Sequence, residues 1–461
     1  MKKLDKKTFN SNFPQVFCAA VLLVFSFANL AAQETKNVPV SSPKIIGSVG
    51  KYLDRERGKT ADELVALALE NNGEIAALRK EVEAAEALVR QARLRPNPTL
   101  EIGGSQMFGG MDGSVMAQGT LPLELGGRRE ARVRVAEREL EIKKLALADR
   151  ERLLAAEVRG KFGEALAAAF KLRFTEEMLA VANENYRLVA AVVEEGRRPP
   201  LEQNVETVEL NRLRAMREIG EGAVEISMLE LRTLAGLSPD EPLLLAGDFE
   251  NLIDRLPSKN EATENALRDR PDLKAARALE LLAEARIEQA RAEGKINAGL
   301  KAGYQRMKSG FPLQGIDEAG NLRMIDMTSN SVTFGVMLDL PVRNRNQGAV
   351  EAAIFDGEAA RKRREFGELV IRREVAQAFV RYESAARAMQ IYRVGVREQA
   401  SRNLSVVRQT YELGAKPLFD YIAEQRRFIE TESGFIDAQL ETYLARVEIM
   451  RATAAPELIK R

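Results

Sequence analysis

Between residues 331 and 342 apolar and polar side chains alternate. Val332, Phe334, Val336, Leu338 and Leu340 interleave with Ser331, Thr333, Gly335, Met337 and Asp339. Leu300, Ala302 and Tyr304 interleave in the same way with Lys301, Gly303 and Gln305. A period of two puts one set on each face of a strand. The pattern predicts four strands, over 99–108, 114–123, 297–308 and 331–342. Elsewhere the period is helical. Leu418, Tyr421, Ile422, Gln425, Ile429, Ile436, Leu440, Tyr443, Leu444 and Val447 fall mostly on one stripe, suited to packing against a neighbouring helix.

Proline placement shows where long helices fit. No proline lies between Pro122 and Pro199, between Pro341 and Pro417, or in the shorter runs from Pro200 to Pro239 and from Pro417 to Pro456. The two halves match. Glu74–Leu78 resembles Asp272–Ala276 some 198 positions on, Leu121-Pro122 recurs as Leu340-Pro341, and Glu195-Gly196 recurs as Leu413-Gly414 after 218 positions. The growing offset implies a longer loop in the second copy, over 309–328. Thr60–Glu63 and Ser258–Glu261 carry capping-box patterns at the head of each copy. Each repeat thus reads as short helix, two strands, very long helix, tight turn and return helix. The long helices would reach about 100 Å at 1.5 Å per residue. The short helix, 73–94 in the first copy, could stack end to end with the return helix and so cover the rest of its long partner.

The expected boundaries are a leader over 1–32 and an N-terminal extension over 33–59. A first repeat spans 60–236, with strands at 99–123, long helix at 127–195 and return helix at 201–236. A linker spans 237–259. A second repeat spans 260–452, with strands at 297–342, long helix at 347–412 and return helix at 418–450. A tail covers 453–461.

Strands of about ten residues with one apolar and one polar face suit a transmembrane barrel. Four cannot close one, and an open edge in lipid leaves backbone groups without partners at several kcal/mol each. Several chains must share a barrel, and three would supply twelve strands. The expected fold is therefore mainly α with a small transmembrane β part. Four strands per chain would enter a shared 12-stranded β-barrel. Val332, Phe334, Val336 and Leu338 would face lipid.

Composition narrows the function. The 461 residues are 30% charged with a formal net charge of +1, and there is no His or Trp. Near-neutrality gives no reason to expect nucleic acid. Arg361-Lys362-Arg363-Arg364 reads as a solvated helix face. Lys2, Lys3, Lys6 and Lys7 precede an apolar run from Val16 to Phe27 and the small residues Ala28–Ala32, the layout of a cleaved export signal. Its removal near Ala32 takes four lysines and one aspartate, leaving the remainder at −2. It also takes Cys18, the only cysteine, so no disulfide and no thiol metal site is expected. No cofactor is expected either. With no His, no remaining Cys and no Gly-rich phosphate loop, an enzyme is disfavoured.

Arg270-Pro271-Asp272-Leu273, Asn97-Pro98-Thr99-Leu100 and Leu121-Pro122-Leu123-Glu124-Leu125-Gly126-Gly127-Arg128-Arg129 resemble phrases of the outer-membrane efflux (TolC-like) family. The last phrase is similar to its heavy-metal (cobalt–zinc–cadmium type) branch. The resemblance covers nearly the whole chain after the leader. It implies an outer-membrane homotrimer whose 12-stranded β-barrel is continued by an α-helical periplasmic tunnel. Its implied partners are a periplasmic adaptor and an inner-membrane pump of the resistance–nodulation–division type.

The turns Gly196-Arg197-Arg198-Pro199-Pro200 and Gly414-Ala415-Lys416-Pro417 join long and return helices. Glycine suits a left-handed helix end and proline a helix start. Lying far from the strands, Gly196, Arg197, Gly414, Ala415 and Pro417 are candidate adaptor-docking residues. Six residues past each glycine stands an acid, Glu202 or Asp420. The resemblance places these at the constricted end of the tunnel, with Tyr411 and Lys416 as a latch against Leu201–Glu202. The family has arginine where Lys416 stands, and often a second acid where Ala423 stands. In a trimer Asp420 would form a carboxylate ring that favours cations. A lone acid at a helix start equally serves the helix dipole.

Two further classes stay open: a periplasmic coiled-coil scaffold with no pore, and the exit duct of a type I polypeptide secretion system. A scaffold has no use for four alternating strands, and a carbonate wash of membranes would separate the two. The cargo is not legible in the sequence.

Overall fold

The computed structural model describes residues 48–249 and 258–459. The expected leader, 1–32, lies outside the described residues, as does 33–47 of the extension.

Each half begins with two short helices, α1 (Ala61–Asn71) and α2 (Gly73–Ala92) in the first, α5 (Lys259–Asp269) and α6 (Pro271–Glu293) in the second. Both starts are capped. The Thr60 hydroxyl accepts from the Glu63 N–H at 3.3 Å while the Glu63 carboxylate accepts from the Thr60 N–H at 2.7 Å. Ser258 accepts from the Glu261 N–H at 3.4 Å.

In the first half the long helix α3 runs over Arg128–Glu194, 67 residues, and the return helix α4 over Pro200–Leu234. In the second, α7 (Gln347–Ile391) and α8 (Arg397–Glu412) are joined by a π turn, Tyr392–Val396, before the return helix α9 (Leu418–Thr453). The helix expected to be continuous over 347–412 is therefore interrupted. The π turn sits where the Tyr392 ring packs on Gly434 of α9, 2.9 Å from where a Cβ on that glycine would lie. An inserted residue of this kind re-aims side chains without ending the helix.

The return helices abut the short ones, as the stacking argument requires. The Asn72 amide between α1 and α2 donates to the Leu234 carbonyl at the end of α4, 3.0 Å away. The equivalent residue between α5 and α6, Arg270, donates to the Ala452 carbonyl at the end of α9, 3.2 Å away. Arg270 is buried and also paired with Asp272 at 2.6 Å and Glu374 at 2.7 Å. Its two carboxylates and carbonyl satisfy a charge that burial alone would make costly.

The main core surrounds the middle of α3. Leu154, Val158, Phe162, Leu166 and Leu172 pack with Leu64, Val65 and Leu69 of α1 and Val224, Met228 and Leu231 of α4. Gly163 lets the Tyr443 ring of α9 approach: a Cβ there would meet it at 2.5 Å. The described parts of the extension, linker and tail join this core. Leu53 and Lys59 bridge Leu245 in parallel fashion, and Val49, Leu245, Phe249 and Leu458 are buried. The Arg159 guanidinium donates to the Leu458 and Glu457 carbonyls at 3.1 and 2.8 Å.

The strands β1 (Thr99–Gln106), β2 (Gly113–Pro122), β3 (Asn297–Ile316) and β4 (Leu322–Asp339) form one antiparallel sheet in chain order. Ile102 pairs with Ala117, Ala117 with Tyr304, and Tyr304 with Val332. Directly opposed residues share a face. One face therefore carries Leu100, Ile102, Val115, Leu121, Leu300, Tyr304, Val332, Phe334, Val336 and Leu338, and the other Glu101, Gln118, Lys301, Gln305, Thr333 and Asp339.

The loop expected over 309–328 is mostly strand. The β3–β4 hairpin continues to a turn at 317–321, with a register shift between Phe311 and Gln314 around Pro312. The Asp317 carboxylate accepts from the Ala319 and Asn321 N–H groups, and Gly320 takes a φ of +80°. Phe311 pairs with Ile325 before the shift, and Gln314 with Met324 after it, so the ladder continues to the turn.

Candidate functional site

The two turns have the same backbone. Gly196 and Gly414 adopt φ of +71° and +76°, the left-handed region that glycine enters without a Cβ penalty. Their N–H groups donate to Val193 and Tyr411 carbonyls, both at 2.9 Å, and the next N–H groups to Val192 and Thr410 carbonyls at 3.1 and 2.9 Å. These bonds satisfy the last carbonyls of α3 and α8. Pro199 and Pro417 lead extended into α4 and α9.

Each turn also closes with a base and an acid four residues apart: Arg198 with Glu202 at 2.9 Å, and Lys416 with Asp420 at 3.1 Å. The pairs are equivalent by the repeat offset, but their surroundings differ. Lys416 and Asp420 stay half-exposed in their own turn. Lys416 does not reach Leu201–Glu202 within the chain, because the first turn of α9 offers it a nearer carboxylate. Arg198 turns inward instead. It donates to the Tyr411 hydroxyl and stacks its guanidinium 4.5 Å from that ring's centroid. Tyr411 stacks in turn on Tyr421, with centroids 5.7 Å apart and rings 5° from parallel. The Asn185 amide of α3 donates to the Tyr421 hydroxyl at 2.8 Å. One continuous contact therefore runs from Glu202 of α4 through Arg198, Tyr411 of α8 and Tyr421 of α9 to α3. Burial raises the pKa of both tyrosines, so both hydroxyls stay protonated and neutral while they accept these bonds.

Beneath this chain of contacts lies Glu206. It is almost fully buried and one carboxylate oxygen has no hydrogen-bond partner. Burial first, then the charges of Glu209 and Glu202, push its pKa up to about 7. Glu209, one turn on, behaves oppositely. Burial pushes it up, but hydrogen bonds from Arg212 and from Arg426 of α9 outweigh that and hold it below the ordinary carboxylate value. Glu206 lines a cavity of about 310 Å³ with Asn185, Arg198, Arg408, Tyr411 and Tyr421.

Gly196, Arg197, Gly414, Ala415 and Pro417 are all exposed, on adjacent turns. Val332, Phe334, Val336 and Leu338 are exposed on the apolar sheet face. Of the basic run on α7, Arg361 and Lys362 pair with Glu365, and Arg364 with Glu280 and Glu368, as a solvated face requires. Among the described residues no cluster of three or more His, Cys, Asp or Glu side chains is arranged to hold a metal, and no helix is long and apolar enough to cross a membrane. Sequence reasoning placed Arg198 in its turn but missed its contact with Tyr411, and missed Glu206, Tyr421 and Asn185.

The family model for outer membrane efflux proteins matches residues 64–237 and 262–455. The chain is 23% identical over 394 residues to the cobalt–zinc–cadmium resistance protein CzcC of Cupriavidus metallidurans, covering 85% of this chain and 89% of that protein. It is 27% identical over 291 residues to the nickel–cobalt–cadmium resistance protein NccC of Alcaligenes xylosoxydans xylosoxydans, 61% of each. The solved structure of CusC superposes with a TM-score of 0.70 at 19% identity, covering 85% of this chain and 91% of that one. The open state of the Neisseria gonorrhoeae MtrE outer membrane channel superposes at 0.67 and 19% identity, covering 85% and 88%. The chain belongs to the outer membrane efflux protein family, and is an outer-membrane channel subunit of a tripartite efflux system.

Proposed function

We propose that three copies of this chain close a twelve-stranded barrel and a helical tunnel that conducts metal cations passively. Its partners are a periplasmic adaptor and a pump of the resistance–nodulation–division type. The observation that supports this best is the sheet. It has one apolar face, one polar face and, among the described residues, two unpaired edges, β1 and β4. In lipid those edges need partners, and copies of the same chain supply them. The helices agree: Phe366, Leu369, Val380 and Ile391 of α7 are exposed in the single chain and suit a neighbouring copy. The metal cargo follows the resistance proteins to which the chain is similar.

The turns at Gly196 and Gly414 are the adaptor-docking tip, with Arg197, Ala415 and Pro417 on its surface. Tyr411 and Glu202 act with Arg198 to hold the tip closed, and Lys416 and Asp420 set the charge at its mouth. Adaptor binding favours the open tip and shifts the population toward it. Mass measurement in detergent should give a trimer, and the trimer should conduct in planar bilayers. A folded monomer that never conducts would overturn the proposal.

A further inference from the structure

The two hairpins, 99–122 and 297–339, form less than one-sixth of the chain yet carry seven of its thirteen methionines. Most of those in the helices are packing residues; Met228 is fully buried in the main core, Met450 packs against that core, and Met178 and Met216 pack on a second cluster around Leu179 and Leu213. Those in the sheet are different. Met116, Met307, Met327 and Met337 all sit on the polar face, beside Ser, Thr, Gln and Lys, with the Phe311–Ile325 pair following Met327 at the outer end. Barrel interiors are polar, so four thioethers there need a reason.

Their placement is ordered. Met116 opposes Gln305, and Met307 is two residues along β3. Met307 opposes Ser329, and Met327 is two residues along β4. Met116, Met307 and Met327 are thus successive diagonal neighbours across three strands, with backbones about 7–8 Å apart at each step, within reach of long side chains. Met116 opposes Gly103, with its methyl carbon 3.8 Å from where a Cβ would stand. Met337 opposes Gly299 in the same way, at 3.5 Å. On these sides both thioethers lie over bare glycine backbone, although Met116 also has Gln305 across from it on β3. Met337 is ten residues from Met327 along β4, about 33 Å at strand rise.

We propose that these methionines form a thioether track along the barrel lumen that transiently binds a soft monovalent cation, Cu(I) or Ag(I). Thioether sulfur is a soft ligand and selects such ions over hard ones. The chain offers no His and, in the described residues, no acidic cluster that would compete for the role. Threefold assembly repeats each methionine around the pore, so every level presents three sulfurs. Thioethers bind weakly and flexibly enough to pass an ion from level to level, as conduction needs.

The inference rests on the proposed barrel, and its test separates the two. Trimers in nitrate salts are titrated with Ag+ by equilibrium dialysis, and Ag+ is added to the same trimers conducting in planar bilayers. The parent protein should bind Ag+ and lose current reversibly. The variant carrying Met116→Leu, Met307→Leu, Met327→Leu and Met337→Leu should lose both effects while keeping its basal conductance, and single variants should lose part. Met389→Leu on α7 should change neither. Conducting trimers that bind Ag+ equally with and without the four methionines would overturn the track and leave the channel standing. Inserted trimers that never conduct would count against the channel itself, and Ag+ bound to them at these methionines would then not be cargo in transit.

Discussion

The guanidinium of Arg198 lies 4.5 Å from the centroid of the Tyr411 ring and also donates to its hydroxyl. The two residues come from different halves of the duplicated chain. Their contact ties the tip of the first helical pair to that of the second. A partly buried cation over an aromatic ring is worth about 1–2 kcal/mol, and three copies in a trimer would multiply its effect on a closed state.

This makes unequal predictions for three substitutions. Arg198→Ala removes the stacked cation, the bond to the hydroxyl and the pairing with Glu202. Tyr411→Phe removes only the hydroxyl, and Lys416→Ser only a half-exposed pair with Asp420. Single-channel conductance should therefore rise most for Arg198→Ala, less for Tyr411→Phe and least for Lys416→Ser. An equal rise in all three, with trimers intact, would place the closing contact elsewhere.

Glu206 gives the tip a pH dependence. Its pKa stands at about 7 in the folded tip, above the ordinary 4.5. The folded tip therefore holds a proton that the opened one releases. Its packing is firmest below about pH 4.5 and weakens as pH rises through 7. The groups around it are Glu202 and Glu209 on its own helix, with Arg198, Arg408, Glu412, Tyr411, Tyr421 and Asn185 from the others. Amide exchange in 200–210 should be slower at pH 5.5 than at pH 8 after correction for the intrinsic rate. Glu206→Gln should remove the difference. Its persistence in that variant would point to another titrating group.

The sheet faces were legible because a period of two belongs to the backbone itself; Val332, Phe334, Val336 and Leu338 could share no face with Thr333. The reach of β3 and β4 was not legible. Gly310, Pro312 and Gly315, just before the polar turn at 317–321, look like loop, and pairing on either side of the register shift keeps that stretch extended. The turns were legible from Gly196 and Gly414. The inward aim of Arg198 was not, since Arg197 beside it is chemically identical and only the position of Tyr411 distinguishes them. Glu206 lies at helical spacing from Glu202 and Glu209, but acids are so frequent in this chain that the spacing carried no signal.

Arg270 stands at the junction of α5 and α6 in the second repeat. Its buried guanidinium pairs with Asp272 and Glu374 and caps the end of α9 at Ala452. Arg270→Ala would leave two carboxylates and a carbonyl without their cation, at a cost of about 3–5 kcal/mol. Thermal unfolding of the trimer should shift downward. Channels that do assemble should keep their conductance, because the residue lies away from the tip. An unchanged unfolding temperature would mean that water replaces the guanidinium without loss.

The sheet supplies the last prediction. Phe334 opposes Ala302 and Val336 opposes Leu300 on the apolar face, while Thr333 opposes Gly303 on the polar one. If the apolar face meets hydrocarbon, an arginine at Phe334 or Val336 must bring a charge into lipid. Near the bilayer middle that costs about 2–4 kcal/mol, falling toward the interfaces. An arginine at Thr333 points into water and should cost much less, with its effect seen in ion selectivity. Refolding into vesicles of Phe334→Arg, Val336→Arg and Thr333→Arg, scored by denaturant titration, should separate the first two from the third. Adjacent residues of opposite behaviour are what a strand spanning a membrane requires. A soluble sheet with both faces in water would tolerate all three alike, and that result would remove the lipid-facing assignment.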